Sequence, residues 1–157
     1  MLKYLYCKEV FTEVPDEISL ALSISNCQIR CEGCNQKELW SDEGTPLSCA
    51  HLANLIYSHR GITCILFMGS GNMGYKELNL LAKEAKKHFL KVAIYLGEDE
   101  IPKSLNLNNI DYIKIGHWED SLGGLDSPTT NQVLYKVCHT GFNTYTLTNI
   151  NSKFIKQ

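Results

Sequence analysis

The sequence lacks any long hydrophobic run, and no stretch approaches the roughly 20 apolar residues that a membrane-spanning helix needs. Its first six residues form no sustained apolar segment, and they are soon followed by Lys8, Glu9 and Glu13. This pattern argues against a secretory signal peptide. We therefore expect a soluble, cytoplasmic protein with no membrane partner.

The chain also has little excess charge of either sign, since 15 Lys and Arg residues stand against 17 Asp and Glu residues. Without a basic excess, we do not expect nucleic acid to be the main partner. Charged residues make up 20% of the chain and hydrophobic residues 44%, which argues against disorder. Because its 157 residues contain no repeat, linker or low-complexity tract, we predict a single domain over residues 1–157.

A disulfide framework is missing as well, because the chain has seven cysteines, an odd number. Four of them are scattered without a recognisable spacing and are expected to be small buried residues or free thiols. These four are Cys7, Cys49, Cys64 and Cys138. The other three, Cys27, Cys31 and Cys34, form a compact C-x3-C-x2-C group. Three clustered thiolates can fix a soft metal centre and leave one coordination position open.

Apolar periodicity predicts an alternation of strands and helices. Residues 18–25 alternate as a strand, and residues 62–68, 92–96 and 111–116 are further strands. Two amphipathic helices separate the earlier strands, the first of them capped by Ser48. The segment after Gly123 begins as a loop and then adds strands near residues 133–137 and 144–147. The predicted fold is α/β, a shortened and incomplete (β/α) barrel with a mostly parallel sheet.

The cysteine loop and two glycine turns follow predicted strands. The loop follows the strand that ends at Ser25, and the turns begin at Gly69 and Gly97. Because ligands bind beyond the carboxyl ends of parallel strands, we expect these three segments to share one functional edge of the sheet.

Two kinds of metal site compete for the three cysteines. A structural zinc site needs a fourth ligand, for which Cys49, His51 and Cys64 are the nearby candidates. Their positions do not repeat the paired spacing of zinc knuckles. Ferredoxin-type carriers use four cysteines for each cubane cluster, often in C-x2-C-x2-C runs. The spacing here favours an iron–sulfur cluster with one open iron over zinc, and three unligated thiols would be liable to oxidation.

This arrangement resembles the radical S-adenosylmethionine (SAM) superfamily. More narrowly, the cysteine motif with Gly33 and with Trp40 is similar to the small activating proteins of anaerobic ribonucleoside-triphosphate reductase. The late Ser127-Pro128-Thr129-Thr130-Asn131-Gln132 segment resembles a Gly-Ser-x-Asn-Gln element of that family. With the overall length, the resemblance spans nearly the whole chain.

The resemblance implies that Cys27, Cys31 and Cys34 hold three irons of a 4Fe-4S cluster, whose fourth iron chelates SAM. An electron from a donor such as flavodoxin or ferredoxin would cleave SAM to methionine and a 5′-deoxyadenosyl radical. In the family that radical generates a glycyl radical on the catalytic subunit of the reductase. The chain would therefore be an enzyme, an oxidoreductase whose substrate is another protein.

The resemblance also implies contacts to SAM. Gly69 and Ser70 match the family's turn at the methionine end, and Gly33 occupies a position that is aromatic in many radical SAM enzymes. Asn35 is a candidate hydrogen-bond donor to the cluster or SAM. The chain departs from the family at Cys34-Asn35-Gln36, where Cys-Tyr-Asn is usual. It also departs at Gly69-Ser70-Gly71-Asn72, where Gly-Gly-Asp-Pro is usual, so that one acidic partner for the SAM ammonium is missing.

Several alternatives stay open. The chain could activate another glycyl-radical enzyme such as pyruvate formate-lyase, or be a small-molecule radical SAM enzyme, or be a zinc-stabilised binding module without turnover. Trp40 is interpreted as a half-buried anchor of the cysteine loop, with electron entry or partner docking as its other possible role. His117 follows a strand at the functional edge, and a site role and a structural role are equally open for it.

Overall fold

The computed structural model describes residues 1–69 and 74–155, and within these residues the chain forms one eight-stranded sheet and two α-helices. The strands are β1 (Lys3–Val10), β2 (Ser19–Ile24), β3 (Thr45–Pro46), β4 (Cys64–Met68), β5 (Lys91–Tyr95), β6 (Tyr112–Ile115), β7 (Val133–Gly141) and β8 (Thr144–Asn149). The helices are α1 (Cys49–Ser58) and α2 (Tyr75–Lys87). Short 3-10 helices cover Lys37–Trp40, Leu107–Asn109 and Asn151–Phe154.

The sheet is mixed, with the strand order β3-β1-β2-β4-β5-β6-β7-β8. The four central strands, β2, β4, β5 and β6, are parallel, and their register places Leu22 beside Phe67 and Phe67 beside Ile94. Strands β1 and β3 on one side, and β7 and β8 on the other, pair antiparallel. The parallel strands therefore occupy the middle of the sheet, where both faces are covered.

Both helices pack on the same face of the sheet. Helix α1 begins after Ser48, whose hydroxyl accepts a hydrogen bond from the backbone N–H of His51 at 3.0 Å, as the sequence predicts. It contributes buried Leu52 to the core beneath the helices. Helix α2 adds an apolar stripe to the same core, formed by Leu78, Leu81, Ala82 and Ala85.

The opposite face of the sheet carries smaller and more polar side chains. Ala21, Ala93 and Tyr112 lie on this face, in a second core. Side chains from connecting segments and from the C-terminal region cover them, namely Val14, Leu125, Ile150 and Phe154. This second face is therefore closed by connecting segments, which begin and end near the edges of the sheet.

The predicted shortened, incomplete (β/α) barrel with a mostly parallel sheet is wrong. Two α-helices are too few for such a barrel, and four of the seven strand pairings within residues 1–69 and 74–155 are antiparallel. The connection from β5 to β6 contains the short 3-10 helix Leu107–Asn109 where a barrel would place a crossover helix. The later strands then return as a hairpin, and hairpin connections produce antiparallel pairing.

No helix among the described residues has the length and apolar character required to cross a membrane.

Candidate metal and cofactor site

The cysteine loop starts directly at the end of β2 and is shaped by its backbone. The N–H of Asn26 donates to the carbonyl of Ser41, and the N–H of Cys27 donates to the carbonyl of Leu39, both at 2.9 Å. Asn26 and Arg30 adopt positive φ angles of 63° and 52°. Both residues lie in the left-handed region, which is uncommon for residues other than glycine, and the two backbone bonds hold the start of the loop against residues 39–41.

Two glycines let this loop sit against the ends of the neighbouring strands. A Cβ atom at Gly69, after β4, would lie 3.1 Å from the carbonyl oxygen of Ile24 and 3.1 Å from Leu39. A Cβ atom at Gly97, after β5, would lie 3.1 Å from the side chain of Ile29. Both approaches are tighter than ordinary contacts, and at Gly69 a φ angle of +85° and the backbone contact with Ile24 both favour glycine. At Gly97 a larger residue would require the Ile29 side chain to shift. The prediction that the cysteine loop and both turns share one edge is confirmed.

The three cysteines line a single cavity of about 340 Å³ at this edge. Asn35 and Gly69, both predicted to be site residues, line the same cavity. Each cysteine is half-buried, so that its sulfur belongs to the wall of an accessible space and not to the core. The structure thus brings together five of the predicted site residues.

Backbone N–H groups point at two of the cysteine sulfurs. The N–H of Trp118 donates to Sγ of Cys31 at 3.3 Å, and the N–H of Gln36 donates to Sγ of Cys34 at 3.4 Å. A further bond from the N–H of Cys34 to the carbonyl of Cys31, at 3.2 Å, closes the turn between them. Hydrogen bonds to sulfur stabilise electron-rich thiolates, the form in which cysteine binds metals.

The described residues contain no ready-made site for a single metal ion. Within residues 1–69 and 74–155, no three His, Cys, Asp or Glu side chains are grouped closely enough to hold one metal ion. In a cubane each thiolate binds a different iron, so the three sulfurs surround the cluster without converging on one atom. The three cysteines line one cavity, which is the arrangement that a 4Fe-4S cluster would require.

The candidate fourth ligands of a zinc site lie elsewhere. Cys49 belongs to α1, and its Sγ lies 3.7 Å from the carbonyl oxygen of Leu80. His51 shares a 2.7 Å hydrogen bond with the hydroxyl of Tyr4. Cys64 is fully buried at the amino end of β4, where burial raises the pKa of its thiol to about 12. None of the three is among the described residues that line the cysteine cavity.

Lys114 is the one formally charged residue among the described residues that line this cavity. It is half-buried on β6, and its ammonium nitrogen lies 5.6 Å from the ring centroid of Tyr95. Burial lowers the pKa of the Lys114 amine to about 8, and the charge of nearby Cys31 opposes this shift. The cavity therefore joins three thiols to a cation that is poorly solvated.

Gly33 lies at the outer turn of the cysteine loop, against Asp120. Its φ angle is +73°, and a Cβ atom at this position would overlap the Asp120 carboxylate. The indole N–H of Trp118 donates to the same carboxylate at 2.5 Å. Glycine is required here for both its backbone conformation and its small size, so the family-based prediction of a SAM contact at Gly33 stays a prediction.

His117 lies just outside the cysteine cavity, between two carboxylates. Its Nε2 is 2.9 Å from Glu119 and its Nδ1 is 2.7 Å from Asp99. Hydrogen bonds to Glu119 and then to Asp99 raise the pKa of the imidazole above its usual value. With Cys31, His117 also lines a neighbouring opening of about 450 Å³.

Asn131 and Gln132 lie directly before β7, and their side chains hydrogen-bond to the segment that follows β6. The side chain of Asn131 donates to the carbonyl of His117 at 3.1 Å, and that of Gln132 donates to the carbonyl of Gly116 at 3.3 Å. Gln132 is buried and also lines the cysteine cavity. These bonds tie the start of β7 to the segment that directly follows β6.

Trp40 is half-buried, and two cations lie over its ring. Arg30 and Lys37 are 5.6 Å and 5.7 Å from the ring centroid. Because Arg30 lies between two of the site cysteines, this stack ties the loop to the 3-10 helix that follows it, as expected of an anchor. Ser70, the remaining predicted site residue, lies outside the described residues.

No sequence motif marks Lys114 or Tyr95 as a site residue. The sequence signal for Lys114 is that it is the one charged residue in the otherwise apolar strand Tyr112–Ile115. It lies near the carboxyl end of that strand, where the cysteine loop also lies. Tyr95 has no comparable signal, because an aromatic residue at the end of an apolar strand is common in any core.

No protein-family model, curated protein or solved structure matches this chain.

Proposed function

We propose that this protein is a radical SAM activating enzyme that generates a glycyl radical on anaerobic ribonucleoside-triphosphate reductase. The observation that carries the proposal is that Cys27, Cys31 and Cys34 line one cavity that has no fourth Cys, His or carboxylate ligand among its described lining residues. A closed structural site would need that fourth ligand, whereas an open iron needs its absence.

In this proposal the three cysteines hold a 4Fe-4S cluster and the cavity admits SAM. When bound, the cluster would pass an electron from an external donor to SAM for reductive cleavage of the sulfur–C5′ bond, the chemistry that would allow a hydrogen atom to be removed from a glycine of the reductase. Gly69 would let the backbone approach the methionine end of SAM, as its tight contact with Ile24 illustrates. Asn35, which lines the cavity, would donate a hydrogen bond to a sulfur or to SAM.

The electrostatics of the cavity are consistent with this assignment. Lys114 places a positive charge beside the cysteines, and Trp118 and Gln36 donate backbone N–H groups to two of their sulfurs. Each of these groups favours an anionic metal–thiolate cluster in the cavity. The proposal also requires an electron donor such as flavodoxin or ferredoxin, and a cytoplasmic location in which thiols stay reduced.

The first test is anaerobic reconstitution with iron and sulfide, followed by analysis of the metal and of SAM cleavage. We expect roughly four irons per chain and 5′-deoxyadenosine formation with a strong reductant. Cys31→Ala should abolish cleavage. Cys138→Ala is the matched control, because Cys138 is also a half-buried cysteine but lies on β7, outside the cavity lining.

The same experiment separates the alternatives. Bound zinc without iron would indicate a structural binding module and contradict the proposal. If the protein binds iron and cleaves SAM but no glycyl radical signal forms on the reductase, the substrate is a different molecule. In that case, a glycyl radical signal on pyruvate formate-lyase, detected by electron paramagnetic resonance after incubation, would show that this protein activates that enzyme instead.

A further inference from the structure

Lys114 makes no salt bridge within residues 1–69 and 74–155, although it is half-buried. Two other lysines close to the sheet show the usual arrangement, since Lys86 is paired with Asp111 and Lys91 with Glu17. An ammonium group removed from water normally needs an anion beside it. The cavity wall offers none, because its described lining residues include no carboxylate.

The backbone of Lys114 is held in place by the sheet. The carbonyl of Lys114 accepts a hydrogen bond from the N–H of Leu96 at 2.8 Å, at the end of β5. Tyr95 is the register partner of Lys114 on β5, and the centroid of its ring lies 5.6 Å from the ammonium nitrogen. The lysine side chain therefore extends from a rigid strand toward the space between the cysteines.

We infer that Lys114 is the counter-charge for the group that the three cysteines bind, and that it stabilises the reduced state of that group. This inference rests on the proposed function, in which the group is a 4Fe-4S cluster. Three thiolates outweigh the positive charge of the oxidised cluster core, so the bound group is anionic. Reduction adds one electron from the external donor and makes the group more negative, so a nearby ammonium favours the reduced state.

Three variants test this role. Lys114→Met removes the charge and keeps a long side chain, whereas Lys114→Arg keeps the charge. Lys136→Met is the control, since Lys136 pairs with Tyr112 on the neighbouring strand but is exposed. The midpoint potential of the reconstituted cluster is measured in each variant by anaerobic redox titration.

We expect Lys114→Met to lower the midpoint potential of the cluster by about 59 mV. At the midpoint potential of the wild type, this shift lowers the ratio of reduced to oxidised cluster about tenfold, because one electron is transferred. Lys114→Arg and Lys136→Met should stay close to wild type. An unchanged potential in a Lys114→Met protein that holds its irons would overturn the inference and leave the proposed function intact. If wild type takes up no iron, the proposed function fails and this inference fails with it.

A second measurement guards against a purely structural role. In the metal-free protein at neutral pH, Lys114→Met should raise the melting temperature, because it removes a desolvated charge that has no partner. Lys136→Met should leave the melting temperature unchanged. A lower melting temperature for metal-free Lys114→Met would mean that the lysine supports the fold, and would overturn its assignment as a counter-charge for a bound group.

Discussion

The amino and carboxyl ends of the parallel strands differ in whether their buried charged groups have a partner of opposite charge. At the amino end, the buried carboxylate of Glu17 accepts hydrogen bonds from Thr63 at 2.5 Å and from Lys91 at 2.7 Å. At the carboxyl end, Lys114 lies beside three thiols with no carboxylate among the described cavity-lining residues. The charges at the amino end are paired within the protein, whereas none of the described residues that line the cavity at the carboxyl end carries a negative charge to pair with Lys114. Because the central strands are parallel, all their amino ends lie at one edge of the sheet and all their carboxyl ends lie at the opposite edge.

Breaking the pair at the amino end should have the largest effect on stability. Lys91→Met leaves Glu17, whose side chain is 4% exposed, with its charge uncompensated. Because Lys91 itself is half exposed, we expect the free energy of unfolding to fall by about 2 kcal/mol. Chemical denaturation at neutral pH measures this change.

Glu17→Gln is the matched control for Lys91→Met, because it removes the charge and keeps a polar group toward Thr63 and Tyr112. It should be less destabilising than Lys91→Met. Iron content should be unaffected in both variants. Loss of iron in either one would show that the two ends of the strands are coupled and would remove the contrast between them.

A smaller effect on stability, with a clear effect on the site, is expected for Gly33→Ala. The change adds a Cβ atom that overlaps Asp120 at a φ angle of +73°. Gly61→Ala is its control, since Gly61 has a φ angle of +92° and open space around its Cβ position. Each variant should lose about 1 kcal/mol of unfolding free energy from the backbone conformation.

Only Gly33→Ala should also reduce the iron content after reconstitution, because the overlap displaces the turn between Cys31 and Cys34. Removing the obstructing carboxylate in the double variant Gly33→Ala, Asp120→Ala should restore part of the iron content. Equal iron content in Gly33→Ala and Gly61→Ala would show that the contact with Asp120 has no influence on the cysteine loop.

The smallest effect concerns His117, at the rim of the site. Its pKa is raised by Glu119 and Asp99, so the protonated form persists above the usual pH range of histidine. This contribution to stability is complete below the unfolded-state pKa and is lost as the pH rises through the raised folded-state pKa. A nuclear magnetic resonance titration of the imidazole should show the raised pKa.

Glu119→Gln removes the larger cause of this shift and should bring the His117 pKa back toward its usual value, while Asp99→Asn should have a weaker effect. Because the side chain of His117 is only partly buried, with 36% of it exposed, the accompanying change in melting temperature should be small. A larger change in Asp99→Asn than in Glu119→Gln would reverse the order of the two partners.

Much of the local structure can be predicted from the sequence, because it depends on short-range patterns. The cap at Ser48 is confirmed, and the strands expected near residues 133–137 and 144–147 are β7 and β8. The location of the cysteines at the carboxyl ends of parallel strands followed from the predicted strand order alone. These features need only periodicity and turn residues.

The overall architecture and part of the site could not be predicted in this way. The barrel prediction failed because strand patterns do not specify whether the last strands return parallel or antiparallel. The overlap between Gly33 and Asp120 joins positions far apart in sequence, and only the folded connection after β6 brings them together. Lys114 was overlooked as a site residue because one charge in a short strand is usually a solvent-facing position.

The backbone bonds of Asn26 and Cys27 to Ser41 and Leu39 bear on how this loop can change during evolution. A hydrogen bond between backbone groups depends little on which side chains the two residues carry. An exposed position such as Glu32 can therefore change without altering where the sulfurs lie. Homologues of this protein would accordingly be expected to vary most between their cysteines and least in the number of residues that separate them.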